Sequence, residues 1–183
     1  MDAAVRQHLT NLHSGDSDLQ NSAYGSLMAA TDEPVTWAYD VWDDLVASLK
    51  DKDNRVRAIA AQVLCNLAKS DPDNRMRATF PALLHVTHDE RFVTARHCLQ
   101  WLWKVGVAGA AQRPMLLDGL KSRFEEAADE KNGTLVRYDI AQGLRTLYDA
   151  VQDEAVKATA LALIETESDL KYRKKYAAVW RGA

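Results

Sequence analysis

With 183 residues, of which 47% are apolar and 27% charged, the chain is long enough to bury a core and too apolar for a disordered chain. Its net charge of −3 excludes the global basic field typical of nucleic-acid-binding domains, and its longest apolar stretch, Val105–Ala111, is far shorter than the roughly 20 residues that cross a bilayer. Residues 1–15 contain no apolar signal core and the two cysteines form no disulfide framework, so a cytoplasmic protein without a membrane anchor is expected.

Apolar residues recur along the chain at spacings of three and four residues, and no segment alternates as a half-buried strand would. The pattern predicts an all-α protein. We expect about ten helices, near residues 3–14, 17–30, 34–50, 53–69, 74–88, 90–105, 112–131, 133–150, 152–166 and 168–181. The segments Thr31–Pro34 and Ser70–Asp73 combine capping side chains with a proline and are expected to begin helices.

Every second predicted helix contains a related nine-residue motif. Its five copies begin 36 to 41 residues apart, at Leu19, Val56, Ala95, Val136 and Tyr172. The first, fifth and ninth positions are apolar in all copies and are expected to form the buried stripe of the helix. The second position is arginine in four copies and Gln20 in the first, and an aspartate precedes three copies by three residues.

With this repeat, the sequence resembles the HEAT-repeat (armadillo-type) family of helical solenoids. The segment Leu49–Arg57, followed by Leu64 at the ninth motif position, is similar to the turn and second helix of that repeat, and Thr79–Leu84 to its proline-bearing first helix. The resemblance implies an α-α superhelix of five helix pairs in a single domain, 1–183. The approximate repeats are 1–32, 33–70, 71–109, 110–150 and 151–183.

The recurrent arginine is expected to hold neighbouring repeats together rather than bind a ligand. Inter-helix acids lie near each copy in the sequence, so we predict a structural ladder. Its predicted members are Arg57, Arg96, Arg137, Arg173 and Asp53.

No phosphate-binding loop, dinucleotide-binding turn or hydrolase elbow occurs, so we predict no catalytic residue and no cofactor. His85 and His88 fall short of a zinc pattern and are interpreted as surface histidines, so no metal site is predicted. The HEAT-like di-iron hydroxylases carry repeated His-Glu pairs, and this chain has none. Cys98 is expected to be a buried small apolar residue, whereas Cys65 could be partly exposed.

Charge is divided unevenly between the two helices of each pair. The first helices sum to −2 and the second helices to +7. Because the second helices line the concave surface in HEAT proteins, the resemblance implies a basic inner face. The alternative is that the basic last helix merely solvates an exposed end of the chain.

The third and seventh motif positions, and the residue after the motif, lie opposite the buried stripe and are expected to face the groove. Trp101 is the most unusual of them, since exposed tryptophan beside cations is typical of an interaction hot spot. Alternatively, Trp101 fills a gap between neighbouring helices. The predicted partner-binding residues are Gln62, His97, Trp101, Lys104, Tyr138, Gln142, Arg145, Lys174 and Arg181.

Three functions are compatible with these features. The first is a non-catalytic binding module or scaffold that holds an acidic or aromatic segment of a partner protein on its concave face. The second is a nucleic-acid-binding protein resembling the HEAT-like alkylpurine DNA glycosylases, in which Trp101, Tyr138, Asp139 and Arg145 would line the DNA surface. The third, a lyase or chaperone for a tetrapyrrole-bearing protein, is suggested by family analogy alone.

Overall fold

A computed structural model describes residues 2–183. This part of the chain is all-helical and contains no β-strand. The helices are α1 (Ala3–Leu12), α2 (Ser17–Ala30), α3 (Ala38–Ser48), α4 (Asn54–Leu67), α5 (Met76–Val86), α6 (Phe92–Leu99), α7 (Trp103–Ala108), α8 (Arg113–Glu126), α9 (Gly133–Val151), α10 (Glu154–Glu165) and α11 (Leu170–Val179). Short 3₁₀ turns follow α4 and α8. The predicted fold class, all-α, is confirmed.

The chain divides into two compact units. The first ends at Cys98, and the second runs from Leu99 to Ala183. In the first unit α4 is the central helix, because α2, α3 and α5 all pack against it. In the second unit α9 has that position, with α7, α8, α10 and α11 against it. No helix in the described range is both long enough and apolar enough to cross a membrane.

The aspartates that precede the motif are helix N-caps. Asp16 accepts hydrogen bonds from the backbone N–H groups of Asp18 and Leu19, and Asp53 accepts one from Arg55. Asp169 has the same role at the start of α11. These side chains satisfy amide groups that have no partner within the helix, which explains where the second helices begin.

The motif's apolar positions form the core, as the spacing predicts. In α4 and α9 all three positions are buried: Val56, Ala60, Leu64, Val136, Ile140 and Leu144. In the last copy Tyr176 and Trp180 are buried while Tyr172 is half-buried, and in the first copy Leu19 is exposed. In the third copy Ala95 and Leu99 are buried and Trp103 is half-buried, so burial of the whole stripe is complete only in α4 and α9.

The largest differences from the predicted helix boundaries are at the start of α3 and at the end of α8, which lies at Glu126 rather than at residue 131. The helix expected from residue 34 begins at Ala38, and in the segment before it the backbone N–H of Val35 donates to Ser70 Oγ at 2.9 Å. Similarly, the helix expected from about residue 74 begins at Met76, where Asp71 accepts hydrogen bonds from the N–H groups of Arg75 and Met76.

The predicted helix 90–105 is broken into α6 and α7. Its buried residues Leu99, Leu102 and Val105 are three apart. That spacing matches a 3₁₀ turn with three residues per turn better than an α-helix. The backbone hydrogen bonds Lys104 N to Trp101 O and Val105 N to Leu102 O are of this tighter type. The break places Trp101 in a turn rather than on a helix.

Candidate functional site

A groove of about 350 Å³ lies between α2, α4 and α6 in the first unit. These three helices are the ones that carry the first three copies of the motif. The middle helix supplies the floor, since its lining residues Ala58, Ile59 and Gln62 are buried. The two flanking helices supply walls that are more accessible, except at the buried Thr94. The wall residues are Asn21 and Tyr24 from α2, and Val93, Thr94 and His97 from α6.

Hydrogen bonds across the groove fix its walls to its floor. On one side the hydroxyl of Tyr24 donates to Gln62 Oε1 at 2.9 Å. On the other, the Thr94 hydroxyl donates to the carbonyl oxygen of Asn54 at 3.1 Å. Both bonds join residues 38 to 40 positions apart in the sequence, so the groove is held by consecutive repeats of the motif.

The groove lining contains an arginine, a histidine and several amides but no carboxylate. Arg55 and His97 supply the titratable nitrogens, and Asn21, Asn54 and Gln62 supply amides. The nearest acid in the sequence, Asp53, is already engaged by the N–H of Arg55 and the side chain of Gln20. The hydrogen bond from Gln20 holds the pKa of Asp53 below its ordinary value, although burial opposes that shift.

Of the two predicted binding residues in the first unit, His97 is exposed but Gln62 is not. Gln62 is only 3% exposed, and its amide donates to the carbonyl oxygen of Ala58 at 3.1 Å. Gln62 does line the groove, as predicted, but it lies in the buried floor because α4 is the central helix of the first unit. For the same reason Cys65, expected to be partly exposed, is buried.

In the second unit Trp101 is half-buried in the turn before α7. The ammonium group of Lys104 lies 4.5 Å from the centre of the Trp101 ring and 5.6 Å from that of Trp103. Lys104 therefore makes cation–π contacts with both tryptophans, a geometry that leaves part of the Trp101 surface accessible.

The predicted binding residues of α9 differ in their surroundings. Gln142 is exposed and Tyr138 is half-buried, with the Lys175 ammonium 4.7 Å from its ring centre. Arg145 is held by an ion pair with Asp149 at 2.8 Å and donates to the carbonyl oxygen of Val179 at 3.1 Å. These bonds tie α9 to the end of α11, a structural role that sequence reasoning did not assign.

The last helix is basic and accessible. Lys174 and Arg181, both predicted to bind a partner, are exposed, as are Lys171 and Lys175. Among the predicted binding residues of α9 and α11, the accessible ones are thus the exposed Lys174, the exposed amide of Gln142 and the half-buried ring of Tyr138.

The ladder residue Arg57 has an acid of the next repeat as its partner. Its guanidinium donates two hydrogen bonds to the carboxylate of Asp89, at 2.5 and 2.8 Å. A third donor bonds the carbonyl oxygen of Asp51 at 2.8 Å. Arg57 therefore joins the loop before α4 to the loop before α6.

Equivalent bonds recur at the second motif position of other copies. Gln20 donates to Asp53 at 2.7 Å, and Arg137 donates to Glu167 at 2.9 Å. The acceptor lies 33, 32 and 30 residues ahead of Gln20, Arg57 and Arg137. The sequence predicts Asp53 as a member of the ladder but does not identify its donor Gln20, because a glutamine replaces the arginine expected at that motif position.

The remaining ladder arginines fit the pattern less fully. Arg173 donates to the carbonyl oxygen of Glu167 at 2.8 Å, six residues back, as Arg57 does to Asp51. Its ion pair with Glu165 is long, at 3.6 Å, and exposed. Arg96 is half-buried and interacts with its surroundings.

The cysteines and the two neighbouring histidines of α5 and its end lie in different surroundings. Cys98 is buried, as expected, and donates to the carbonyl oxygen of Leu83. Burial, with smaller effects of Cys65 and the Asp89 charge, raises the pKa of the Cys98 thiol well above its ordinary value. His85 and His88 are exposed. Within residues 2–183 no group of three histidine, cysteine or acidic side chains is placed to hold a metal ion.

Comparisons with known proteins inform the fold only. No family model matches the chain, and no curated protein matches it significantly. Among solved structures, it is similar to an engineered protein whose crystal structure was determined by the Northeast Structural Genomics Consortium. That similarity has a TM-score of 0.58 at 19% identity and covers 98% of this chain and 78% of the other. A match at this identity shows a shared helical fold.

Proposed function

We propose that the protein is a HEAT-like helical solenoid that acts as a non-catalytic binding module. The regular ladder supports the repeat architecture, since its bonds span 30 to 33 residues in both units. Other bonds have a similar span, such as Trp42 Nε1 to Thr79 Oγ1 at 2.9 Å. Regularly spaced bonds of this kind are expected where one helix pair stacks on the next.

The groove between α2, α4 and α6 carries the proposed binding function. It combines a buried, hydrogen-bonded floor with walls that expose apolar and polar side chains. Val93, 63% exposed on one wall, is a large apolar residue that the fold does not use. A rigid floor with accessible walls lets a partner segment bind with little ordering of the protein itself.

In the second unit, the corresponding surface would be the accessible side of α9 and α11, with Trp101 at the turn before α7. Tyr138, Gln142 and Lys174 supply aromatic, amide and cationic groups of the kind found in protein interfaces. We further propose that the protein works in the cytoplasm, because both cysteines are free thiols, as is usual in a reducing compartment.

Affinity capture from a lysate of the source organism, with and without nuclease, tests this function. A protein partner that survives nuclease and is lost with Val93→Asp would support it. Leu161→Asp is the matched control, since Leu161 is an exposed apolar residue on α10, away from the groove. Capture that is equally reduced by both variants, or by neither, would contradict the groove as the binding site.

Trp101→Ala extends the same test to the second unit. Because Trp101 is half-buried in a turn, we expect a nearly unchanged helical spectrum and melting temperature, and weaker capture of a partner that spans this surface. A loss of several kcal/mol of stability would show that Trp101 acts as a core residue instead.

A second candidate, nucleic-acid binding, is favoured by one observation, the exposed cations of α11. Lys174→Glu and Lys175→Glu would reverse two of these charges. Nucleic acid that is retained at low salt, released at high salt and lost in this double variant would move this candidate to first place. Arg145, which the sequence suggests as a DNA-contacting residue, is less suited to the test because its guanidinium already bonds Asp149 and the carbonyl oxygen of Val179.

A further inference from the structure

We propose that the groove between α2, α4 and α6 binds an extended acidic segment of a partner protein, with a carboxylate of that segment at Arg55. This inference rests on the proposed binding function and names the chemistry of the partner.

Arg55 is the cation best placed to receive a carboxylate. Its side chain lines the groove near the start of α4. The guanidinium makes one long hydrogen bond, 3.5 Å from Nη1 to the carbonyl oxygen of Ser17. The Asp53 carboxylate, two residues earlier, interacts with Arg55 through its charge and accepts the Arg55 backbone N–H, but within residues 2–183 no carboxylate forms an ion pair with the guanidinium. An arginine fork matches a carboxylate with two parallel hydrogen bonds, so most of its donors are available for a ligand.

The rest of the lining favours the same ligand. His97, exposed on the opposite wall, adds a second nitrogen-bearing side chain, and no acid in the lining opposes an anion. This is notable in a chain of net charge −3, in which acids outnumber Lys and Arg. The amide group of Asn21 offers a further donor along the same opening, whereas that of Asn54 already donates to Thr94 Oγ1 at 3.3 Å.

A larger pocket in the same unit lacks this selectivity. It measures about 800 Å³ and is lined by both cations and acids. Three aspartates face it, Asp40, Asp44 and Asp51, and His13 there already pairs with Asp51 at 3.3 Å. An acidic segment would be repelled at that pocket and accepted in the α2–α4–α6 groove.

The groove also selects for an apolar residue beside the acid. Ile59 lines the floor one helical turn after Arg55, and the exposed Val93 forms the facing wall. A segment that pairs a carboxylate with a neighbouring aliphatic or aromatic side chain would cover both. An opening of about 350 Å³ holds a few residues of such a segment.

Selection from a random peptide display library tests the proposal on the intact protein. We expect the selected peptides to be enriched in Asp or Glu next to an apolar residue. A synthetic peptide of the selected sequence should bind Arg55→Gln about tenfold more weakly, the size expected for losing a charge-assisted hydrogen bond. Arg77→Gln is the matched control, because Arg77 is an exposed arginine on α5 outside the groove. Its affinity should match that of the unchanged protein.

The outcomes separate this inference from the function on which it rests. Selected peptides that lack acids, bind Arg55→Gln normally and lose binding with Val93→Asp would overturn the acidic partner while leaving the groove as a binding site. Peptides indifferent to both variants, or no selected peptide, would overturn both proposals. If free glutamate or succinate displaced the peptide at equal concentration, the site would be one for small carboxylates, which also contradicts an acidic protein segment.

Discussion

Replacing Arg57, which forms the shortest ion pair of the ladder, should lower the free energy of unfolding substantially. In the pair between Arg57 and Asp89, the two side chains are only 13% and 6% exposed. Arg57→Ala would remove the guanidinium partner of the mostly buried Asp89 carboxylate, which would keep its hydrogen bond from the backbone N–H of Arg91. It would also take a donor from the carbonyl oxygen of Asp51. Breaking a buried pair from one side costs about 3–5 kcal/mol. Because water can reach part of the site, we expect a loss of about 3 kcal/mol.

Urea unfolding followed by far-ultraviolet circular dichroism measures this loss, and a double-mutant cycle assigns it to the pair. Arg57→Ala/Asp89→Ala leaves no unpaired charge, so its cost should be smaller than the sum of the two single changes by about 1–2 kcal/mol. Arg77→Ala, at an exposed arginine, should change stability by less than about 0.5 kcal/mol. A loss below about 1 kcal/mol for Arg57→Ala, or strict additivity in the cycle, would refute the reasoning.

The same pair predicts a pH dependence. Burial alone would raise the pKa of Asp89, but hydrogen bonds from Arg57 and Arg91 together with their charges lower it. A carboxyl whose pKa is lower in the folded state stabilises the fold above its unfolded pKa of about 4, and this contribution is lost as the pH falls through the folded value. In Arg57→Ala, the effect of burial, which raises the pKa of Asp89, is opposed by fewer hydrogen bonds and less positive charge. The stability difference between the two proteins should therefore shrink in acid, and a constant difference would contradict this account.

Two further predictions concern close packing and the buried thiols. A Cβ at Gly133 would overlap the carbonyl oxygen of Ala127, so Gly133→Ala should destabilise the protein by about 2 kcal/mol or more in urea unfolding. Gly25→Ala meets open space within α2 and should instead stabilise by about 0.5–1 kcal/mol; equal effects at the two sites would contradict the packing. Cys65 and Cys98 are both buried and should react with a thiol reagent such as Ellman's reagent only after unfolding, so rapid reaction of the native protein would refute their burial.

Sequence periodicity could predict the core because the motif repeats one physical requirement. Each second helix must bury a stripe against its neighbours, so apolar residues such as Leu64 and Leu144 recur at the ninth position and are buried. The structural role of the arginine at the second position could also be predicted, because acids that can pair with it recur near it in the sequence.

The surface of the second helices could not be predicted equally well. Periodicity identifies the side of a helix that must be apolar, but it does not show what covers the opposite side. Gln62 was therefore expected to face the groove with an accessible side chain, whereas the central position of α4 leaves it in the buried floor of the groove. Likewise, the three-residue spacing of Leu99, Leu102 and Val105 is compatible with a helical stripe until the turn between α6 and α7 is seen. Arg55 could not be predicted as a binding residue from the sequence, because its suitability for a carboxylate depends on the absence of acids from the groove lining around it.

Hydrogen–deuterium exchange of the intact protein, with and without its captured partner, tests the proposed binding site most directly. The account predicts slower exchange in the segments that form the groove, in particular the starts of α4 and α6 around Arg55 and Val93. Helices α1 and α3, which line the larger pocket of about 800 Å³, should exchange as in the free protein. Protection confined to α1 and α3, or to the basic helix α11, would contradict binding in the groove.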